Sequence, residues 1–428
     1  MNRLSLTVLV CMLSSLVFSQ SIHWNLLIHE DSSIGISQTA IDSQGNIIAR
    51  GEISSGEENL NPLYSNEPMT IEEGDSQYIA KYSAAGALEW VQFFQDEGTI
   101  AYSDLSVGND GKIALSLSFR GSMTIPSAGG DVLIQRSEDI FNGVIILFDQ
   151  EGNYLNHGVF SIDTYSSIRR VQFTDSNEIV VQGLYTNAVD LDLTEDNYIL
   201  EDNEQRYFIA KYSNDLEFIW GYDLHHWNFG SMEFLSVAPD GRIAYGGGFS
   251  STWDSDFTDN EDLWEADVID GFIHVLDSDG QLLWSKQFSG VNWEYVGDAA
   301  FSEDGDLYIV GRHLNQLLYT SELGTQNIIG NGEFIIKFNS DYEVLWQDFT
   351  YGETIGSKTL LELDEENEVV YTFARGWSDA VLPNSEIVVG GEGEQLVFVK
   401  WTLDGDIETA WNIFTSNYVK LKDAHVNP

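Results

Sequence analysis

The chain has 428 residues, of which 69 are Asp or Glu and 19 are Lys or Arg, for a formal net charge of −50. Such a surface repels a phosphate backbone, which excludes nucleic acid as a partner and leaves solubility in salty surroundings as the simplest use of the charge. The single cysteine, Cys11, sits near the N-terminus, so disulfides, thiolate metal sites and cysteine nucleophiles are excluded from everything after it.

Residues 1–19 place Arg3 before a short apolar run that ends in Val17 and Ser19, the pattern of a secretory signal peptide cut between Ser19 and Gln20. Val8-Leu9-Val10 lacks the small residue expected before a lipidated cysteine. No later stretch has the apolar length of a membrane-spanning helix. The mature chain is therefore expected to be secreted, extracellular or at the cell surface, with the periplasm as the alternative, and to be an uncrosslinked monomer.

From Gln20 onward one unit recurs. Its clearest copy is FIHVLDSDGQLLW (Phe272–Trp284), in which alternating apolar residues lead into an Asp279-Gly280 turn and end on a tryptophan, the signature of a β-hairpin. Copies without gaps run Lys81 to Trp90, Lys211 to Trp220, Val275 to Trp284 and Lys337 to Trp346, with looser ones at Leu147 to Asn156 and Lys400 to Trp411. Their first residues are separated by 66, 64, 64, 62 and 63 residues.

A second hairpin lies between these anchors. Its turn position reads Gly45, Gly111, Asn177, Gly241, Gly305 and Asn367, all residues that tolerate the left-handed conformation. Six residues later stand Gly51, Gly183, Gly247 and Gly311, but Leu117 and Phe373 in the other two copies, so this second glycine is expected to serve close strand packing. Polar connections such as Asn187–Tyr207 and Ser321–Glu333 separate the hairpins, and a small added hairpin is expected in them. Trp24 precedes Trp90 by 66 residues, so the strand around it is expected to lie in, or against, the sheet of the last copy, with Lys400 and Trp411.

An all-β chain of six such copies, each with four or more antiparallel strands, cannot bury both faces of each sheet in isolation. Radial packing solves this, and the expected fold is a single β-propeller of six blades of about 64 residues over 20–415, followed by a short tail at 416–428. Seven blades are the alternative count. An open solenoid would need polar capping repeats, which the sequence does not show.

The D-x-x-G-x-I/L-Y turns, the glycine six residues on, and the stretches FIAKYSNDLEFIW and FIIKFNSDYEVLW resemble the β-propeller repeats of secreted and surface proteins of Bacteroidetes-type bacteria. The resemblance spans about residues 22–415 and implies the fold and an exported location, without a particular ligand. A weaker similarity is to quinoprotein dehydrogenase repeats, which also end in G-x-x-x-W. Their quinone pocket commonly uses adjacent cysteines, which this chain lacks, so no cofactor is expected.

The recurring tryptophans are expected to pack between blades, and the recurring lysines Lys81, Lys211, Lys337 and Lys400 to pair with carboxylates. Asp254, Asp256, Asp259 and Glu261 crowd one connection and form a calcium candidate by composition, without the glycine and glutamate register of an EF-hand. The segments that link one copy to the next hold the binding-face candidates Arg169, Arg170, His225, His226, Trp227, Trp293, Glu294 and Tyr295. His225 and His226 alternate across a strand and do not make a metal pair. Two functions are compatible with this inventory. One is a non-catalytic module binding protein or glycan, with Trp227 and Trp293 stacking on sugar rings. The alternative is a hydrolase or lyase acting on polysaccharide through carboxylates such as Glu294 and Glu353, although no linear motif fixes the separation that such a pair needs.

Overall fold

The computed structural model describes residues 34–414 except 62–63, 66, 161–163, 195, 228–229, 258–261, 352–358, 377–379, 382–387 and 390–394, together with 11–13, 22–24 and 425–427. Among the described residues there is no helix. The chain divides into two compact units, one formed by Thr7–Leu224 and the other by His225–Val426.

The first unit contains three four-stranded antiparallel sheets, each a meander in chain order. The first sheet consists of Ile34–Ile41, Ile47–Ile53, Asp75–Tyr82 and Leu88–Asp96. Thr99–Val107, Ile113–Arg120, Asn142–Phe148 and Tyr154–Phe160 form the second. The third comprises Ser166–Phe173, Ile179–Asp190, Ile199–Tyr212 and Phe218–Trp227.

The second unit repeats this plan. Its sheets are Ser231–Val237, Ile243–Asp254, Leu263–Leu276 and Leu282–Phe288, then Glu294–Phe301, Leu307–His313, Gly332–Phe338 and Val344–Tyr351, then Leu360–Asp364, Val369–Gly376, Gln395–Thr402 and Ile407–Phe414. Within each unit the apolar core lies between consecutive sheets. Phe94 and Ile79 of the first sheet pack with Leu115 and Ile146 of the second, and Phe288 and Val275 of the fourth pack with Phe334 and Ile309 of the fifth.

Both families of turn take the conformation expected from their residues. Positive φ occurs at Gly45, Gly111, Asn177, Gly241 and Gly305, and in the sixth copy at Glu368 in place of Asn367. Asn367 instead uses its side chain, donating from Nδ2 to both carboxylate oxygens of Asp364, so the left-handed residue moves one position on. In the anchor hairpins Leu216 (φ 70°) and Tyr342 (φ 64°) occupy the position held by glycine in four other copies. That conformation is costly for a bulky side chain. Leu216 is offset by burial in the core, and Tyr342 by stacking on Trp284.

The second glycine has a specific cause. Gly51, Gly183, Gly247 and Gly311 pair with Ile36, Ile168, Met232 and Val296, and in each case the first strand carries a β-bulge immediately after that residue. A bulge pushes the backbone toward its partner. A Cβ on Gly51 would lie 1.7 Å from the Gly35 carbonyl oxygen, and one on Gly247 1.8 Å from that of Ser231. Opposite Phe373 the first strand has no bulge, and in the second copy the bulge is displaced past Ser118, away from Leu117, which accounts for the two copies that lack the glycine.

Added hairpins are present: at Asn187–Tyr207 and in the fourth copy they prolong the second and third strands of their own sheet, whereas in the second, fifth and sixth copies they attach to the preceding sheet. Ser122–Ile125 and Val132–Gln135, from the second copy, extend the first sheet beyond Leu88–Asp96. Ala380–Val381 and Val388–Val389, from the sixth copy, extend the fifth through Tyr351 and Val381. The hairpin of Gln316–Ser321 and Gly324–Ile329 bonds to Ser289, just past the fourth strand of the fourth sheet. In this way outer strand edges are covered.

The Trp24 expectation needs correction. Ile22–Trp24 pairs with Cys11–Leu13, and the last sheet obtains all four of its strands from 360–414. With Ile407–Phe414 already in the fourth position, that sheet does not take the strand from the N-terminus.

Candidate functional site

The recurring residues are structural. Lys81, Lys211, Lys337 and Lys400 pair with Asp42, Glu178, Asp306 and Glu408 at 2.8, 2.5, 3.1 and 2.8 Å. Trp90 donates from Nε1 to Gln150 O (3.1 Å) and Trp346 to Leu403 O (2.7 Å), each reaching a turn of the next sheet. Trp284 stacks on Tyr342 with ring centroids 4.9 Å apart. Two aspartates not expected from the sequence tie first strands together. The N–H of Val171 donates to Asp104 and that of Leu361 to Asp298, both at 2.9 Å.

With these set aside, the segments that join sheets carry the remaining chemistry. Arg169 is the bulged residue of its strand, and its guanidinium lies 3.3 Å from the centroid of the Tyr102 ring. Arg170 donates from Nη1 to the Arg169 carbonyl oxygen (2.9 Å), so of this pair Arg169 is the one that covers an aromatic ring in the first unit.

In the second unit, residues 289–293 join the fourth and fifth sheets and are held from both sides. Ser289 exchanges two backbone hydrogen bonds with Leu318 (2.8 and 2.6 Å). Ile269 N–H donates to Asn292 O and Leu314 N–H to Trp293 O, both at 3.1 Å, and Ile269 forms a parallel bridge with Trp293. On this fixed segment Trp293 is 44% exposed, beside Val291 at 53%.

Beneath Trp293 the polarity is inverted. Glu294, Asp270 and His313 are fully or almost fully buried. Glu294 and His313 are ladder partners, and neither oxygen of the Glu294 carboxyl has a hydrogen-bond partner, since the nearby Leu314 N–H is committed to Trp293. Burial, reinforced by Asp270, pushes the Glu294 carboxyl up to about 8. Burial also raises Asp270 to about 6, eased by Gln287, which donates from Nε2 at 2.6 Å. Gly290 packs against Glu294 so closely that a Cβ would come within 2.2 Å of the carboxyl carbon. His313 is lowered to about 4 by burial and stays neutral.

One strand register away, Arg312 lies among Glu233, Glu294 and Glu333 and stacks 5.2 Å from the centroid of Tyr295. Glu333 is raised to about 8 by burial, with Arg312 opposing the shift. At neutral pH the site thus holds two protonated carboxyls, Glu294 and Glu333, near one guanidinium and next to an exposed indole. Its own candidates were Trp293, Glu294 and Tyr295. Asp270, Arg312, His313 and Glu333 were missed because cross-strand register, and not local sequence, brings them there.

His225 is exposed, with φ at 48°. His226 and Trp227 belong to the strand Phe218–Trp227, but their side chains, with Asp259, Glu261 and Glu353, lie outside the described residues. Asp254 Oδ1 accepts the N–H groups of Asp256 (3.3 Å) and Asp262 (2.9 Å), a use in closing its own loop. Among the described residues no group of three or more His, Cys, Asp or Glu is placed to hold a metal.

A second concavity lies in the first unit, where the segment that joins the first and second sheets meets strand ends of the first sheet. It has a volume of about 540 Å³, opens to solvent, and is lined by residues including Ile34, Glu52, Gln77, Asp96 and Ile100.

No family model matches the sequence. No curated protein sequence matches it. Solved structures with similarity include a protein of unknown function from Bacteroides caccae, at 10% identity and a TM-score of 0.37, covering 78% of this chain and 90% of that one. A protein of unknown function from Dyadobacter fermentans has 10% identity and a TM-score of 0.38, with 90% and 96% covered. A variant of a Synechocystis apocarotenoid oxygenase has 8% identity and a TM-score of 0.39, with 91% and 73% covered.

Proposed function

We propose that this chain is an exported six-bladed β-propeller that binds a glycan or protein ligand, without catalysis, through the segments joining its sheets. The observation that carries the binding reading is Trp293, a half-exposed indole on a segment pinned by backbone bonds to Ile269 and Leu314. A large aromatic held rigid before the ligand arrives loses little entropy on binding and offers a flat apolar face for a sugar ring or side chain. The hydrolase or lyase alternative names Glu294 and Glu353. Glu353 lies outside the described residues, and Glu294 is shut off from solvent at 0% exposure, which favours binding over chemistry at this segment. Six meander sheets, with cores between consecutive sheets inside each unit, support the propeller reading.

Affinity electrophoresis through gels containing soluble polysaccharides tests the binding reading. Retardation that Trp293→Ala abolishes supports it, whereas migration unaffected by every polysaccharide and by partner proteins, or equal for the variant, refutes it. Solution scattering tests the ring. A compact particle of radius of gyration about 22 Å is expected, and a markedly larger value indicates an open stack. Intact mass of exported protein tests the cut before Gln20.

A further inference from the structure

The cavity of about 540 Å³ in the first unit combines three features that together specify a ligand class. Its wall is aliphatic, from Ile34, Ile53 and Ile100. Its acceptors are Glu52 and Asp96, the latter drawn upward from the ordinary aspartate range by burial and receiving the Gly98 N–H at 2.8 Å. Its donor is the amide of Gln77, a residue that is 7% exposed overall and lines the cavity. The Gln77 carbonyl oxygen is taken by the buried guanidinium of Arg50, while its amide nitrogen has no hydrogen-bond partner. An amide donor that faces the cavity without a protein partner offers a ligand acceptor a hydrogen bond.

Ligand classes can be separated by what each would leave unmatched. An anion meets two carboxyl groups. An ammonium group satisfies the carboxylates but gives nothing to the Gln77 amide and faces the positive charge of Arg50 behind it. A hydroxyl both donates and accepts, so adjacent hydroxyls on one ring satisfy Asp96, Glu52 and Gln77 together, while the C–H face of the ring packs on the isoleucines. We infer that this cavity is a binding site for a neutral sugar residue. The assignment rests on reading the chain as a binding module, but it does not involve Trp293.

The test is saturation-transfer NMR and calorimetry on the full mature chain with glucose, galactose, mannose and N-acetylglucosamine, against glucosamine and glucuronate as cationic and anionic probes. Binding of at least one neutral sugar is expected, weakened about tenfold or more by Glu52→Gln. Glu52 is exposed, so that variant keeps the fold, and Thr99→Ala at the rim supplies a second probe should Gln77→Ala fail to fold. Trp293→Ala should leave this binding unchanged. Loss with Trp293→Ala alone would place the sugar at the other segment and overturn the assignment. Binding of glucosamine or glucuronate only, or of no sugar at about 50 mM, also overturns it.

Discussion

Replacing Glu294 by glutamine should make the protein more stable at neutral pH, and the gain should depend on pH in a defined way. In the unfolded chain this carboxyl ionises near 4.5, whereas in the fold burial beside Asp270 raises it to about 8. Below the lower value the group is protonated in both states and contributes no penalty. Between the two values folding must take up a proton, so stability falls as pH rises, by about 1.4 kcal/mol per pH unit. Above the higher value the full penalty applies. Glutamine keeps the shape without the ionisation, so its advantage should grow through that window, by roughly 3 kcal/mol between pH 5 and pH 7. Urea melts of both proteins at several pH values provide the measurement, and the difference between them cancels the parallel titration of Glu333. A difference independent of pH, or one that grows toward acid, would refute the reasoning that Glu294 is buried as the neutral acid.

Other sites give sharper structural tests. Gly247→Ala should destabilise by at least about 3 kcal/mol in thermal or urea melts, because the new Cβ meets backbone at 1.8 Å and the bulge cannot yield without losing ladder bonds. Trp284→Ala should cost about 3 kcal/mol in urea melts, the low end for a large aromatic because the indole is only partly buried, through loss of its contacts with Tyr342 and Phe338. Asp298→Ala should cost about 1–3 kcal/mol by stranding the Leu361 N–H, and hydrogen exchange at that amide should accelerate.

The strand arrangement was largely legible because hairpins are local: a turn residue with free access to positive φ and alternating apolar flanks lie within a dozen positions. Gly45, Gly111, Gly241 and Gly305 behave accordingly. Leu216 and Tyr342 did not advertise their conformation, since tertiary packing overrides local preference there. The second glycine was visible, but its cause was not, because the bulge it accommodates lies on another strand. Among site residues, Trp293 and Glu294 stood out on a joining segment. Asp270 lies within the long strand Leu263–Leu276, in a run that reads as an ordinary polar edge, and Arg312 and His313 end a strand of otherwise apolar residues. Only pairing register makes these neighbours. The sugar cavity was harder still, since Glu52, Gln77 and Asp96 end three different strands of one sheet.

The hairpins that attach backwards alter what counts as a part of this molecule. Ser122–Gln135 is encoded within the second copy yet completes the edge of the first sheet, and the same offset recurs between the fifth copy and the fourth sheet and between the sixth copy and the fifth sheet. A cut at any of these sheet boundaries would strip one piece of its edge cover and leave the other with an unanchored hairpin. Units of this kind are not interchangeable beads. Gain or loss of a single copy during evolution would have to preserve the overlap at both junctions, and a synthetic array of these repeats should be cut inside the connection, after the backward-reaching hairpin, to yield soluble pieces.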